Sequence, residues 1–249
     1  MRNTLAGWFG AGALLFYWAH TAPPHVVPPP GAATLPAGTG GDDRKALAAL
    51  TALPAPHAAS PNDPAHPAVV QVATGTGTLG ALEGWSCFRL QLDLNPLTAK
   101  NVYTIFGHAE EAIRMPAALQ VAHPFGVNIG GSNRAFWAVN PLAQYDSWLT
   151  VGITEGDAAS GLSTVGIPFE EWTGSSGLLA GDGGVFWTNP DAGPGGSGVV
   201  VAQITVKDGS RWRATLSAQG RSVGVHTEQN GDWTQTGIVF TSATVSGGR

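Results

Sequence analysis

From Ala68 onward, apolar and polar residues alternate in short runs punctuated by Gly, Pro, Asn and Asp. Period-two runs bounded by turn residues predict β-strands, because successive side chains on a strand point to opposite faces. The runs are 68–74, 85–94, 101–107, 117–122, 135–139, 146–154, 163–169, 184–188, 199–207, 211–219 and 236–242. The clearest lie in "VVVAQITVKDGSRWRATLSAQG". Val200, Ala202, Ile204 and Val206 alternate against Gln203, Thr205 and Lys207, and Trp212, Ala214, Leu216 and Ala218 against Arg211, Arg213, Thr215 and Ser217. Asp208–Ser210, "DGS", sits between the two runs and predicts a β-hairpin. This many short runs suit an all-β fold, an antiparallel β-sandwich of jelly-roll type. No helix–strand alternation points to a parallel sheet, and no tandem repeat is present.

"AQYDSWLTVGITEGD", Ala143 to Asp157, reads as one strand entering an acidic turn. Tyr145, Ser147, Leu149, Val151 and Ile153 share one face; Asp146, Trp148, Thr150, Gly152 and Thr154 share the other. If the second face is exposed, Trp148 and Asp146 are first candidates for contact with a sugar. If both faces are covered, Trp148 is core and Asp146 bonds a loop, and the pattern favours this packing.

In "WSCFRLQLDL", Phe88, Leu90, Leu92 and Leu94 predict a core face, which leaves Cys87 opposite with Arg89, Gln91 and Asp93. Cys87 is the only cysteine, so no intrachain disulfide forms. A buried small hydrophobe is the expected role, provided a second layer covers that face. An exposed thiol would instead cross-link two copies.

The N-terminus follows a different pattern. "MRNTLAGWFGAGALLFYWAHT" has one basic residue followed by an uncharged, mostly apolar run from Leu5 to Ala19. This is the layout of a secretory signal peptide, with Ala19 and Thr21 as small residues for cleavage, and residues 1–21 are read as a signal or a retained anchor. Residues 22–67 are rich in Pro, Ala and Gly and too poor in bulky apolar residues to offset ordering entropy, so they read as a spacer. A short helix is expected within it from Asp42 to Leu53, after the acidic start "GDD". Residues 68–249 form the expected sandwich domain, and the protein is expected to be secreted or at the cell surface.

Charged residues make up 12% of the chain, about half of the roughly 25% usual for soluble domains. The formal net charge is −5 with no run of Lys or Arg. Phosphate backbones need clustered cations, so a nucleic-acid partner is not expected. The same shortage argues against docking on anionic lipid, and no membrane embedding is expected beyond the N-terminal segment.

The strings "NVYTIFG", "MPAALQ", "PFGVNIGG", "YDSWLTVG", "VGIPFEEW", "VFWTNPD", "VVAQITV" and "SAQGRS" cover roughly residues 70 to 242. Together they resemble a strand-rich module of secreted proteins from marine algae and bacteria, where it recurs or accompanies sorting and anchoring segments. The resemblance implies an extracellular, non-catalytic module and carries no catalytic residue onto this chain.

The sequence has no H-E-x-x-H, Cys-x-x-Cys or G-x-x-x-x-G-K-[ST] signature. "GSSG" at Gly174–Gly177 and "VNIGGSNR" read as turns. "GHAEEAIRMP" gathers His108, Glu110 and Glu111, but zinc needs a third ligand, for which His123 is the candidate. His226 with Glu228 is a similar pair. Glu155, Asp157 and Asp182 lie near Gly-rich turns and are candidate ligands for a structural calcium, although Asp beside Gly also serves tight turns for backbone reasons. In "FEEW", Glu170 and Glu171 would point to opposite faces of a strand and cannot pair as acid and base.

Trp85, Trp137, Trp148, Trp172, Trp187, Trp212 and Trp233 fall in the sandwich segment. An indole either fills a core or, exposed, stacks on a sugar ring. Trp148 with Asp146, and Trp187 with Asn189 and Asp191, have the composition of a sugar contact. The expected function is therefore a non-enzymatic matrix or surface protein binding glycan or protein partners. A polysaccharide-active hydrolase or lyase and a self-associating structural subunit stand as alternatives.

Overall fold

The computed structural model describes residues 60–74, 82–156, 161–224 and 231–246. The signal segment, nearly all of the spacer with its expected helix, Asp157, His226 and Glu228 lie outside the described residues. Among the described residues no helix is long and apolar enough to cross a membrane.

The fold is all-β. Its strands are β1 (Ala65–Thr74), β2 (Trp85–Leu94), β3 (Thr104–Gly107), β4 (Ile113–Met115), β5 (Trp148–Leu149), β6 (Leu162–Val165), β7 (Leu178–Ala180), β8 (Gly183–Trp187), β9 (Val199–Lys207), β10 (Arg213–Arg221), β11 (Asp232–Thr241) and β12 (Val245–Ser246). One sheet runs β12-β1-β2-β9-β5. In the other, β10 pairs with β11 along one edge and with β3 and β4, end to end, along the other; β8 and β7 follow, then β6 outside β8. Pairing is antiparallel except where β12 meets β1.

A single apolar cluster joins the sheets. Phe88, Leu90, Leu92 and Leu94 of β2 face it as the alternation predicted, with Val201 and Ile204 of β9. The second sheet contributes Ile105, Ile113, Leu178, Val185, Ala214, Leu216, Ile238 and Phe240.

The expected β9–β10 hairpin does not form. β9 is flanked by β2 and β5, so both of its hydrogen-bonding edges are occupied, and Thr150 and Gly152 extend the β5 side through Val201 and Val200. Without a free edge for β10, the chain turns at Asp208–Gly209 and crosses to the other sheet. Gly209 takes a φ of +71°, and Ser210 donates its N–H to the Lys207 carbonyl at 3.1 Å.

The polar face of β9 is also covered. Gln203 and Thr205 are buried beneath residues 116–147, the long connection from β4 to β5. Gln203 Nε2 donates to the carbonyls of Gln144 and Asp146, and Thr205 Oγ1 to that of Tyr145. This cover is the second layer that encloses Cys87, which packs with Leu82 and Tyr145 in a small cluster of its own.

Several strand boundaries differ from the sequence reading. Strand β1 begins at Ala65, inside the segment read as spacer. The run 117–122 forms no strand: Ala118 and Leu119 bond singly to Thr173 and Thr205, and the Val121 N–H is taken by the Asp146 side chain. The run 135–139 gives way to a 3-10 turn at Arg134–Phe136, because the Asn133 side chain accepts the Ala135 N–H. Only Trp148–Leu149 of 146–154 is strand. Glu170 and Glu171 lie on a 3-10 turn, Phe169–Glu171, rather than on a strand.

Candidate functional site: a basic cleft where the chain changes sheets

The crossing from β9 to β10 forms one wall of a cleft of about 380 Å³. Lys207, the last residue of β9, is exposed, as are Ser210 and Arg211 in the connection. Trp212, only 6% exposed, turns inward and packs on Phe88 with ring centroids 5.3 Å apart. The facing wall is built from Pro116–Ala117 after β4 and Gly174–Ser175 before β7.

That facing wall is fixed by backbone contacts. The buried Trp172 donates its indole N–H to the Pro116 carbonyl at 2.8 Å, and Ala118 donates its N–H to Thr173 at 3.0 Å. Thr173 Oγ1 accepts the N–H groups of Ser175 and Ser176. Gly177 must be glycine here, since a Cβ would lie 2.5 Å from the Met115 carbonyl oxygen. The half-buried Trp85 reaches the same wall: a Cβ on Gly174 would lie 3.6 Å from its ring. Trp212 thus lines the cleft, while Trp85 and Trp172 back its opposite wall.

The electrostatics of the cleft are one-sided. Among the described residues, neither Lys207 nor Arg211 forms an ion pair; the ion pairs found involve Arg134 and Arg221. Asp208, between the two cations in sequence, is bound instead by the Ser86 hydroxyl. The indole N–H of Trp212 is shielded from solvent and has no acceptor among the described residues. An unmade hydrogen bond of this kind costs roughly 1–3 kcal/mol.

The residues that the sequence singled out lie elsewhere. Trp148 and Asp146 are each 1% exposed, so they share no open face and offer no sugar platform. The Asp146 carboxylate accepts the backbone N–H of Val121 at 2.8 Å and of Val127 at 2.7 Å, which pins the loop above it. Burial pushes this carboxyl up to about 6 against the downward pull of those amides and that of Ser147. The loop encloses a second hollow of about 380 Å³, lined by Gln120 and His123 among others.

Trp187, Asn189 and Asp191 lie at the far end of β10 from the cleft, around Arg221. The half-buried Trp187 donates its indole N–H to the Val151 carbonyl at 2.9 Å and packs against the core. Asn189 caps its own 3-10 turn by accepting the Asp191 N–H. Asp191 accepts from Arg221 Nε at 3.1 Å, while Arg221 also holds Asp232, whose carboxylate accepts the Tyr103 hydroxyl.

Glu155 is paired with Arg134, and Asp182 stands exposed in the turn between β7 and β8. His108 and Glu111 are joined only through backbone, His108 N–H to the Glu111 carbonyl. Among the described residues, no three of His, Cys, Asp and Glu gather as metal ligands.

The residues that form the cleft were visible in the sequence as something else. "KDGSRW" reads as a hairpin turn and "GSSG" as a loop, so neither draws attention. The available signal was two cations within five residues of a chain with so little charge. Comparison with family models, curated proteins and solved structures returned no match to this chain.

Proposed function

We propose that this protein is a secreted, non-enzymatic module that binds extracellular glycan through the cleft between the β9–β10 crossing and the Gly174–Ser175 loop. The observation that carries this reading is that Lys207 and Arg211, neither in an ion pair among the described residues, line one concave site with Trp212. The volume falls at the lower end of the roughly 300–1,000 Å³ of small-ligand sites, enough for a sugar ring and its substituents. Pro116, Ala117 and Val206 supply apolar surface, and the serines and cations supply hydrogen bonds. The N-terminal signal-like segment, the Pro-rich spacer and the resemblance to secreted modules support an extracellular setting.

The test is retention of the purified full-length chain on a panel of immobilised glycans. Retention that is lost on Arg211→Ala, with the thermal transition unchanged, supports the proposal. Absence of retention on every polymer overturns it.

A further inference from the structure

We infer that the ligand group held in this cleft is an anionic substituent of a glycan, a carboxylate or a sulfate ester, rather than a neutral sugar hydroxyl. The inference rests on the glycan reading above and narrows its chemistry.

The argument is one of donors and acceptors. A neutral sugar hydroxyl both donates and accepts, so its sites supply acceptors, most often carboxylates, beside donors. This cleft is lined by groups that mostly donate. An ammonium offers three N–H donors and a guanidinium five, and neither accepts. Only the hydroxyls of Ser175 and Ser210 accept through their side chains. The Asp208 carboxylate, bonded to Ser86, lies outside the lining, and the Pro116 carbonyl spends one of its two lone pairs on Trp172. A donor-rich lining fits a ligand that only accepts, which describes an ionised carboxylate or a sulfate.

Charge leads to the same assignment. The chain carries a formal net charge of −5, yet Lys207 and Arg211 face the cleft with no acid on either among the described residues. Arg134 and Arg221, by contrast, have each found carboxylates. The guanidinium fork matches a carboxylate or sulfate with two parallel hydrogen bonds, and the ammonium adds a point charge beside it. The wall opposite is held by hydrogen bonds, so the ordering cost of binding falls on Lys207 and Arg211.

Affinity electrophoresis of the full-length chain tests this in gels carrying polygalacturonate, dextran sulfate or neutral dextran. Stronger retardation by polygalacturonate or dextran sulfate than by dextran is expected, and it should weaken as ionic strength rises. The gel that retards more strongly distinguishes carboxylate from sulfate. Lys207→Gln and Arg211→Gln should each weaken acidic-glycan binding about tenfold. Lys100→Gln, at the far end of β10, should leave it unchanged and so excludes a general charge effect.

Equal retardation by dextran overturns the anion assignment while leaving a glycan-binding protein. No retardation in any gel overturns the glycan reading itself. Competition by poly-glutamate as effective as that by polygalacturonate overturns the assignment in favour of an acidic polypeptide. Equal loss on Lys100→Gln overturns the location of the site.

Discussion

The carboxylate of Asp146 accepts the backbone N–H of Val127 at 2.7 Å from a position only 1% exposed, with no cation paired to it among the described residues. Burial raises the folded pKa from 3.8 to about 6, outweighing the stabilising amides of Val121, Val127 and Ser147. A carboxyl whose pKa rises on folding contributes stability below its unfolded pKa and loses it as the pH climbs through the folded value. Between pH 4 and 7 the wild type should therefore lose roughly 2 kcal/mol relative to Asp146→Asn, which does not titrate. Urea denaturation of both proteins at the two pH values measures the difference. A constant gap between them would show that Asp146 ionises normally.

Trp148 lies beside it in the chain and is equally enclosed. Trp148→Ala should destabilise the protein by about 3–5 kcal/mol, the cost of a large buried aromatic and the cavity it leaves. Loss of glycan binding in that variant would report unfolding, so a shift in the thermal transition must be measured first. A transition within a degree of wild type would contradict the packing described.

Much of the fold is legible in the sequence because period-two alternation reports a strand with one covered face. Strands β2 and β9 carry the residue bounds read from the pattern. What the pattern hides is pairing. "VKDGSRW" has the turn chemistry of a hairpin, but β9 has neighbours on both edges and the chain must leave its sheet. That single non-local fact converts a turn into the wall of a cleft. Trp148 and Asp146 mislead for a related reason: their polar–aromatic face is covered by the 116–147 connection, which is irregular and carries no periodicity of its own. The short strands β4 and β7 were missed because three residues are too few to show alternation.

Cys87 Sγ lies in the small cluster with Leu82 and Tyr145 and is fully enclosed. Burial pushes its thiol up to about 12, against smaller opposing effects from Thr205 and Arg89. Both the missing thiolate and the missing access make it inert. A disulfide-exchange reagent at pH 8 should release no chromophore from the native protein over an hour and one equivalent in 6 M guanidinium, roughly the concentration that unfolds small domains. Rapid reaction in the native state would place the thiol at the surface and revive cross-linking between copies.

Tyr103 donates its hydroxyl to Asp232 at 2.8 Å, while Arg221 lies over its ring at 5.7 Å. Burial first, then the hydrogen bond to Asp232 and its negative charge, push the phenol up to about 12 from 10.0; Arg221 opposes them. The phenol must lose the bond to Asp232 when it ionises, so the stability this pair contributes is present below pH 10 and falls as the pH rises towards 12. Titration of the phenolate absorbance near 295 nm, with Tyr103→Phe to assign the late component, should place Tyr103 about two units above a free phenol. Asp232→Asn should return only part of that shift, because it removes the charge while burial and an acceptor remain. If Asp232→Asn leaves the late component unmoved, burial alone holds the proton and the carboxylate has no part in it.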